Sequence, residues 1–138
     1  MAKVNGRVCQ HGAGRRRTWL KVDLAVDADA RDVIGVEVTT TAWTGGEVFG
    51  DLMDQVEGPI KQIDADGADD TREAYDIAAQ REATLDVPPR ENAVPWEATH
   101  HPRTQALAAI PMKGLAPWKQ DTGDHRRRLA ENAMDRLK

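Results

Sequence analysis

Two groups of carboxylates in this chain have residue types and spacing suited to metal chemistry. The first centres on Glu131, in the stretch DHRRRLAENAMDRLK over residues 124–138. Arg127 lies four residues before Glu131 and Lys138 lies seven after it. At about 100° per residue these offsets set all three side chains on one stripe of a helix. Leu129, Ala130, Ala133, Met134 and Leu137 make the opposite, apolar stripe. The second group is Asp64-Ala65-Asp66-Gly67-Ala68-Asp69-Asp70-Thr71, between a predicted strand and a predicted helix. An open α/β sheet places reactive groups at the C-terminal ends of its strands. Gly67 permits a sharp turn after Asp66. Clustered carboxylates of this kind hold two Mg²⁺ ions roughly 3.5–4 Å apart around a scissile phosphodiester. Each group also has a plainer reading. Alternating charges on a helix face are ordinary salt-bridge patterning, and aspartates before a helix commonly cap it. An EF-hand loop starting at Asp64 is excluded, because its sixth and twelfth positions require Gly and Glu and hold Asp69 and Tyr75.

The elements that must position these residues follow from hydrophobic period. Residues 18–27, TWLKVDLAVD, alternate with Val22, Leu24 and Val26 on one face, and 33–41, VIGVEVTTT, are β-branched. The short polar link between them predicts an antiparallel hairpin. Val48, Leu52 and Val56 recur at helical spacing from Glu47 to Val56, ahead of Gly58-Pro59. A short strand is expected over Ile60–Ala65, a helix over Thr71–Ala83 capped by Thr71 or Asp70, and a strand over Ala83–Val87 stopped by Pro88-Pro89. Irregular chain follows from Arg90 to about His101, then a short helix over Arg103–Ile110. Pro111, Gly114 and Pro117 predict a second loop before the Glu131 helix. The order implies one α/β domain over residues 1–138, with a mixed sheet covered by helices.

Composition sets outer bounds. The 138 residues suit a single domain with a sizeable core. Apolar residues are 40% and charged residues 30% of the chain, as in a soluble globular protein. No apolar run reaches the length of a membrane span and no signal-peptide core is present. Cys9, the only cysteine, excludes an internal disulfide and fits a reducing cytoplasm. The net charge of -4 is unevenly spread. Residues 1–21 carry six Lys or Arg and no acid, residues 27–86 carry sixteen acids against four bases, and residues 111–138 carry seven bases against four acids. Basic ends around an acidic middle suit a metal-dependent nucleic-acid enzyme, and equally a variably charged solvated surface. The four His residues have no ligand spacing with Cys9, so zinc is not expected. Trp19, Trp43, Trp96 and Trp118 are expected as core or loop anchors, with base stacking the lesser reading. His100-His101 is placed in a loop near any DNA.

The two carboxylate groups together resemble the DDE transposases of bacterial insertion sequences. Their last catalytic helix reads Tyr, two residues, Arg, three residues, Glu, six residues, Lys. Here Asp124, Arg127, Glu131 and Lys138 have that spacing, with Asp124 in the Tyr's place. Their second catalytic Asp opens a motif like Asp-Gly-Ala-Tyr-Asp-Thr. Here Asp66-Gly67-Ala68-Asp69-Asp70-Thr71 matches it, again with Asp for Tyr. The segments RRRTWLKVDLAVDADARDVIGVEVTT, EVFGDLMDQVEGPI and VPPRENAVPW resemble the family in the same order, so the likeness spans essentially the whole chain.

The resemblance implies a ribonuclease-H-like α/β fold and a triad of two Asp and one Glu holding two Mg²⁺ or Mn²⁺ ions. Asp66 and Glu131 match the second Asp and the Glu, as catalytic residues and metal ligands. Arg127 and Lys138 match the cations that contact DNA phosphates or hold the Glu. Arg15, Arg16 and Arg17 are read either as a solvated turn or as phosphate contacts. The implied partner is transposon-end DNA, bound by a homodimer, with no membrane and a cytoplasmic location. The family's first Asp lies on a first strand upstream of a segment like Gly-Glu-Trp-Lys-Val-Arg-Gln-His-Gly. The chain enters at that segment, as NGRVCQHG, so the first strand is expected to be missing. Asp23 stands where a His is expected, and Asp27 is usual at the strand end. The chain then reads as an internal transposase fragment cut at both ends. Two activities follow as expectations: metal-dependent DNA cleavage and strand transfer, or an inactive remnant with at most weak DNA binding. A first strand supplied from an upstream reading frame would decide between them.

Overall fold

Alternation in the hairpin and helical period around it produce two layers of helix on one sheet. The computed structural model describes residues 2–10, 18–40, 43, 45–90, 92–96, 101–122 and 128–136. Strands β1 (Ala2–Gln10), β2 (Thr18–Val26) and β3 (Val33–Thr40) are followed by helix α1 (Gly45–Asp54) and strand β4 (Gln62–Asp64). A single 3₁₀ turn, Gly67–Asp69, leads to helix α2 (Arg72–Gln80) and strand β5 (Thr84–Asp86). Helices α3 (Pro102–Lys113), α4 (Leu115–Thr122) and α5 (Arg128–Arg136) complete the described chain. The sheet order is β3-β2-β1-β4-β5. β2 pairs antiparallel with β1 and β3, while β1, β4 and β5 pair in parallel. The chain is thus a mixed α/β protein.

The alternation of β2 sends neighbouring residues to opposite faces. Ala25 joins Phe49, Leu52, Ile63, Ala74 and Leu85 in a core beneath α1 and α2. Leu24 and Val26 face the other way and pack against Ala130 and Met134 of α5. The apolar stripe predicted for the Glu131 helix is therefore what docks it on the sheet. β3 is an edge strand with Val36 and Val38 exposed. Gln55 blunts that edge by accepting from the Val36 N–H at 3.0 Å and donating to its carbonyl at 3.1 Å. The β2–β3 turn is closed by Asp27, whose Oδ1 accepts from the N–H groups of Ala30 (2.9 Å) and Asp29 (2.8 Å). Those two bonds hold the Asp27 carboxyl below the usual carboxylate range.

Two expectations are corrected. The sheet does not lack a strand at its centre: Ala2–Gln10 fills that place, between β2 and β4. Its pairing with β4 joins residues far apart in sequence, although Ala2, Val4, Gly6 and Val8 do alternate with Lys3, Asn5 and Arg7. The second predicted loop is largely helix. Pro111 sits in the last turn of α3, and Pro117 in the first turn of α4, where backbone N–H groups have no helical partner anyway. Gly114, at φ 87°, makes the break between the two helices. His101 does lie in the irregular chain before a helix, as expected, and there it caps α3: its Nδ1 accepts from the Arg103 N–H at 3.2 Å.

Candidate functional site

The parallel pairing of β4 with β1 and β5 builds the site. Ala2 pairs with Asp64, and Asp64 with Asp86, so β4 and β5 end level with the start of β1. The segment after Asp64 emerges at the C-terminal edge of the parallel strands, alongside the rest of β1. Ile63 and Ala65 are buried in the α1–α2 core. Asp64 alternates to the opposite face and is itself buried. Gln62 secures it there, donating to Asp64 Oδ1 at 2.7 Å and to Asp86 Oδ2 at 2.9 Å. Asp66 follows at the edge and is half-buried. Its Oδ1 accepts from the Ala68 N–H at 2.7 Å, capping the 3₁₀ turn. Gly67 is tight against the next loop: a Cβ there would lie 3.3 Å from the Pro88 carbonyl oxygen.

The turn after Asp66 is held from both ends. Arg90 Nε donates to the Gly67 carbonyl at 2.9 Å and Nη2 to the Ala68 carbonyl at 3.3 Å. Asp70 is buried and receives a two-point bond from Arg103, Nε to Oδ1 at 2.5 Å and Nη2 to Oδ2 at 3.0 Å. Arg103 Nη1 also reaches the Val94 carbonyl at 2.6 Å. Thr71 then caps α2 by accepting from the Ala74 N–H at 3.2 Å. A ring cluster fixes this corner. Trp96 packs edge-on against Tyr75 (5.5 Å) and His101 (4.7 Å), and the guanidinium carbons of Arg103 and Arg72 lie 4.4 and 4.8 Å from its ring centre. Burial, with Asp70 next, pushes the Tyr75 phenol far above its usual range. Burial, then Arg72 and Arg103, hold the His101 imidazole below its usual value.

Glu131 stands on the exposed side of α5, in its first turn. α5 packs over β1 and β2, so Asp66 and Glu131 flank the same central strand, one after β4 and one above β1. Asp23 is fully buried on β2, with Lys21 Nζ 3.6 Å from its Oδ2, and pairs with Asn5 of β1. β1 itself, AKVNGRVCQ, contributes no carboxylate. Among the described residues no group of three or more His, Cys, Asp or Glu side chains is arranged to hold a metal ion. Asp66 and Glu131 are thus not joined in such a group, and the buried acid nearest Asp66 along the chain is Asp64, held by Gln62. Arg15, Arg16, Arg17, Asp124, Arg127 and Lys138 lie outside the described residues.

Sequence reasoning missed Arg72, Arg90 and Arg103. The sequence reading gives none of the three a role, although Arg90 sits in the segment VPPRENAVPW directly after Pro88-Pro89. Of the tryptophans, Trp118 is buried and Trp96 is a loop anchor, whereas Trp43 is exposed. Among the described residues no helix is long and apolar enough to cross a membrane. No protein-family model matches the sequence.

Proposed function

We propose that this chain is the catalytic-domain portion of an insertion-sequence DDE transposase with a ribonuclease-H-like fold, and that it binds transposon-end DNA. The observation that carries the reading is the position of Asp66. It opens a capped turn at the C-terminal edge of a parallel strand, next to the central strand over which the Glu131 helix packs. The mixed sheet, with β2 alone antiparallel and helices on both faces, supports the fold assignment. In an intact site of this kind Mg²⁺ or Mn²⁺ ions would activate the attacking oxygen and stabilise the leaving oxygen. Asp66 and Glu131 are the residues proposed to face the metal, and Arg127, Lys138 and Arg15–Arg17 the DNA phosphates.

A second reading, a DNA-binding domain with little or no cleavage of its own, is favoured by β1, which fills the centre of the sheet and carries no acid. Two carboxylates do not complete a two-metal set, so no catalytic step is assigned to this chain alone. The experiment is a supercoiled-DNA nicking assay in Mg²⁺ and in Mn²⁺, run beside duplex binding. The expected result is binding with at most slow nicking, and loss of that nicking in Asp66→Asn and Glu131→Gln. Equal nicking by both variants would remove the two residues from the chemistry. Absence of duplex binding would remove the DNA partner.

A further inference from the structure

Beside the Asp66 turn lies a cleft of about 750 Å³ lined by Asp70, Arg72, Arg90, Asn92, Trp96 and Arg103, among others. Its ionic side chains are three arginines and one aspartate. Asp70 is committed to Arg103 through two hydrogen bonds, which leaves the charge of Arg72 and Arg90 to dominate the cleft. Among the described residues neither of these two forms an ion pair. Both are held in place before any ligand arrives. Arg72 lies against the Trp96 ring, and two backbone carbonyls hold Arg90. Arg72 is also the first residue of α2, whose N-terminal dipole adds positive potential on the same side.

We infer that this cleft seats a phosphodiester of a nucleic-acid strand, with Arg72 and Arg90 as its cations. The inference rests on the DNA-binding reading above and assigns two residues that the sequence motifs did not. Arg90 grips the Gly67 and Ala68 carbonyls while Asp66 grips the Ala68 N–H, so one turn carries the carboxylate on one side and the guanidinium on the other. A strand crossing that turn offers one phosphate to Arg90, and a neighbouring one reaches Asp66 only through a bridging cation, because carboxylate and phosphate repel. The larger consequence is register: the cleft sets which phosphodiester reaches the carboxylate edge. A guanidinium fixed in advance also spends less ordering entropy on binding than a free surface arginine.

The test is fluorescence anisotropy of a labelled DNA duplex in EDTA, across about 50–200 mM salt, where each phosphate contact steepens the salt dependence by about one. Arg72→Gln and Arg90→Gln should each weaken binding roughly three- to tenfold and lower the log–log salt slope by about one. Lys61→Gln, in the cleft on the opposite edge of the sheet, should change neither. Because Arg90 also braces a turn, Arg90→Lys serves as the second variant. It keeps the charge without the paired carbonyl bonds and should retain the slope. Unchanged slopes in Arg72→Gln and Arg90→Gln, or an equal drop in Lys61→Gln, would overturn the inference. So would inorganic pyrophosphate displacing the duplex far more effectively than its ionic strength explains, which would mark a small-anion pocket. Working without metal separates this outcome from failure of the cleavage chemistry: nicking can fail while the slopes still change.

Discussion

Arg103→Met should destabilise the domain more than any surface substitution. The side chains of Arg103 and Asp70 are only 7% and 1% exposed, so solvent screens their attraction weakly. The bond is two-pronged, and Arg103 adds a hydrogen bond to Val94 and a face of Trp96. Methionine keeps much of the apolar stem but leaves the Asp70 carboxylate buried with its main partner gone. Breaking a buried pair in this way costs about 3–5 kcal/mol. For 138 residues, an unfolding entropy of about 2.1 cal/mol/K per residue converts that loss into a melting point lowered by roughly 10–17 °C. Urea unfolding followed by tryptophan fluorescence reads it directly, since Trp96 lies at the pair. A cycle with Asp70→Leu adds a stricter criterion. Replacing both partners removes the orphaned charge, so the double variant should be at least about 2 kcal/mol more stable than the sum of the single losses predicts. A loss under about 1 kcal/mol for Arg103→Met, or simple additivity, would refute the idea that this pair clamps the Asp66 turn to α3.

Two smaller perturbations probe the same corner. Thr71→Ala removes the α2 cap and should cost about 1 kcal/mol in urea unfolding, whereas Thr71→Ser should restore it. His101 has its folded pKa depressed, chiefly by burial and then by Arg72 and Arg103, and its Nδ1 must be unprotonated to cap α3. A depressed pKa contributes stability that is present above the unfolded value of about 6.5 and lost as pH falls through the lower folded value. Stability should therefore decline on acidification below about pH 6.5, and His101→Asn, which caps without titrating, should flatten that decline.

The fold was legible where period and local chemistry agree. The β2–β3 hairpin, α1, α2 and β5 stand within two or three residues of their expected limits, because each buries a regular apolar face and has local stops such as Gly58 and Thr71. β1 was not legible. Its place is fixed by pairing on both sides, including the distant β4, and the family resemblance set aside the alternation that Ala2 to Val8 show. α3 was also legible, within three residues of its expected limits, whereas α4 was hidden: Pro117 reads as a breaker but falls in the first helical turn, where its missing N–H has no helical partner. At the site, Asp66 was legible as the residue before Gly67, and α5 as the Glu131 helix. The arginine corner was not. Arg103 meets Asp70 across 33 residues, and Arg90 meets Gly67 and Ala68 across 23 and 22, and spacing along the chain carries no trace of such tertiary contacts. The loop position of His101 was legible, but its roles as the cap of α3 and as a packing partner of Tyr75 were not.

Manganese binding, followed by electron paramagnetic resonance of the free ion, tests most directly whether Asp66 and Glu131 face one metal. With two carboxylates and no third on β1, the chain should hold Mn²⁺ well above micromolar dissociation constants. Asp66→Asn and Glu131→Gln should each weaken that binding further, with no additional loss in the double variant, and Asp27→Asn, at the opposite edge of the sheet, should leave it unchanged. Mn²⁺ binding that is indifferent to both Asp66→Asn and Glu131→Gln would contradict the shared site and, with it, the metal-dependent reading of this chain.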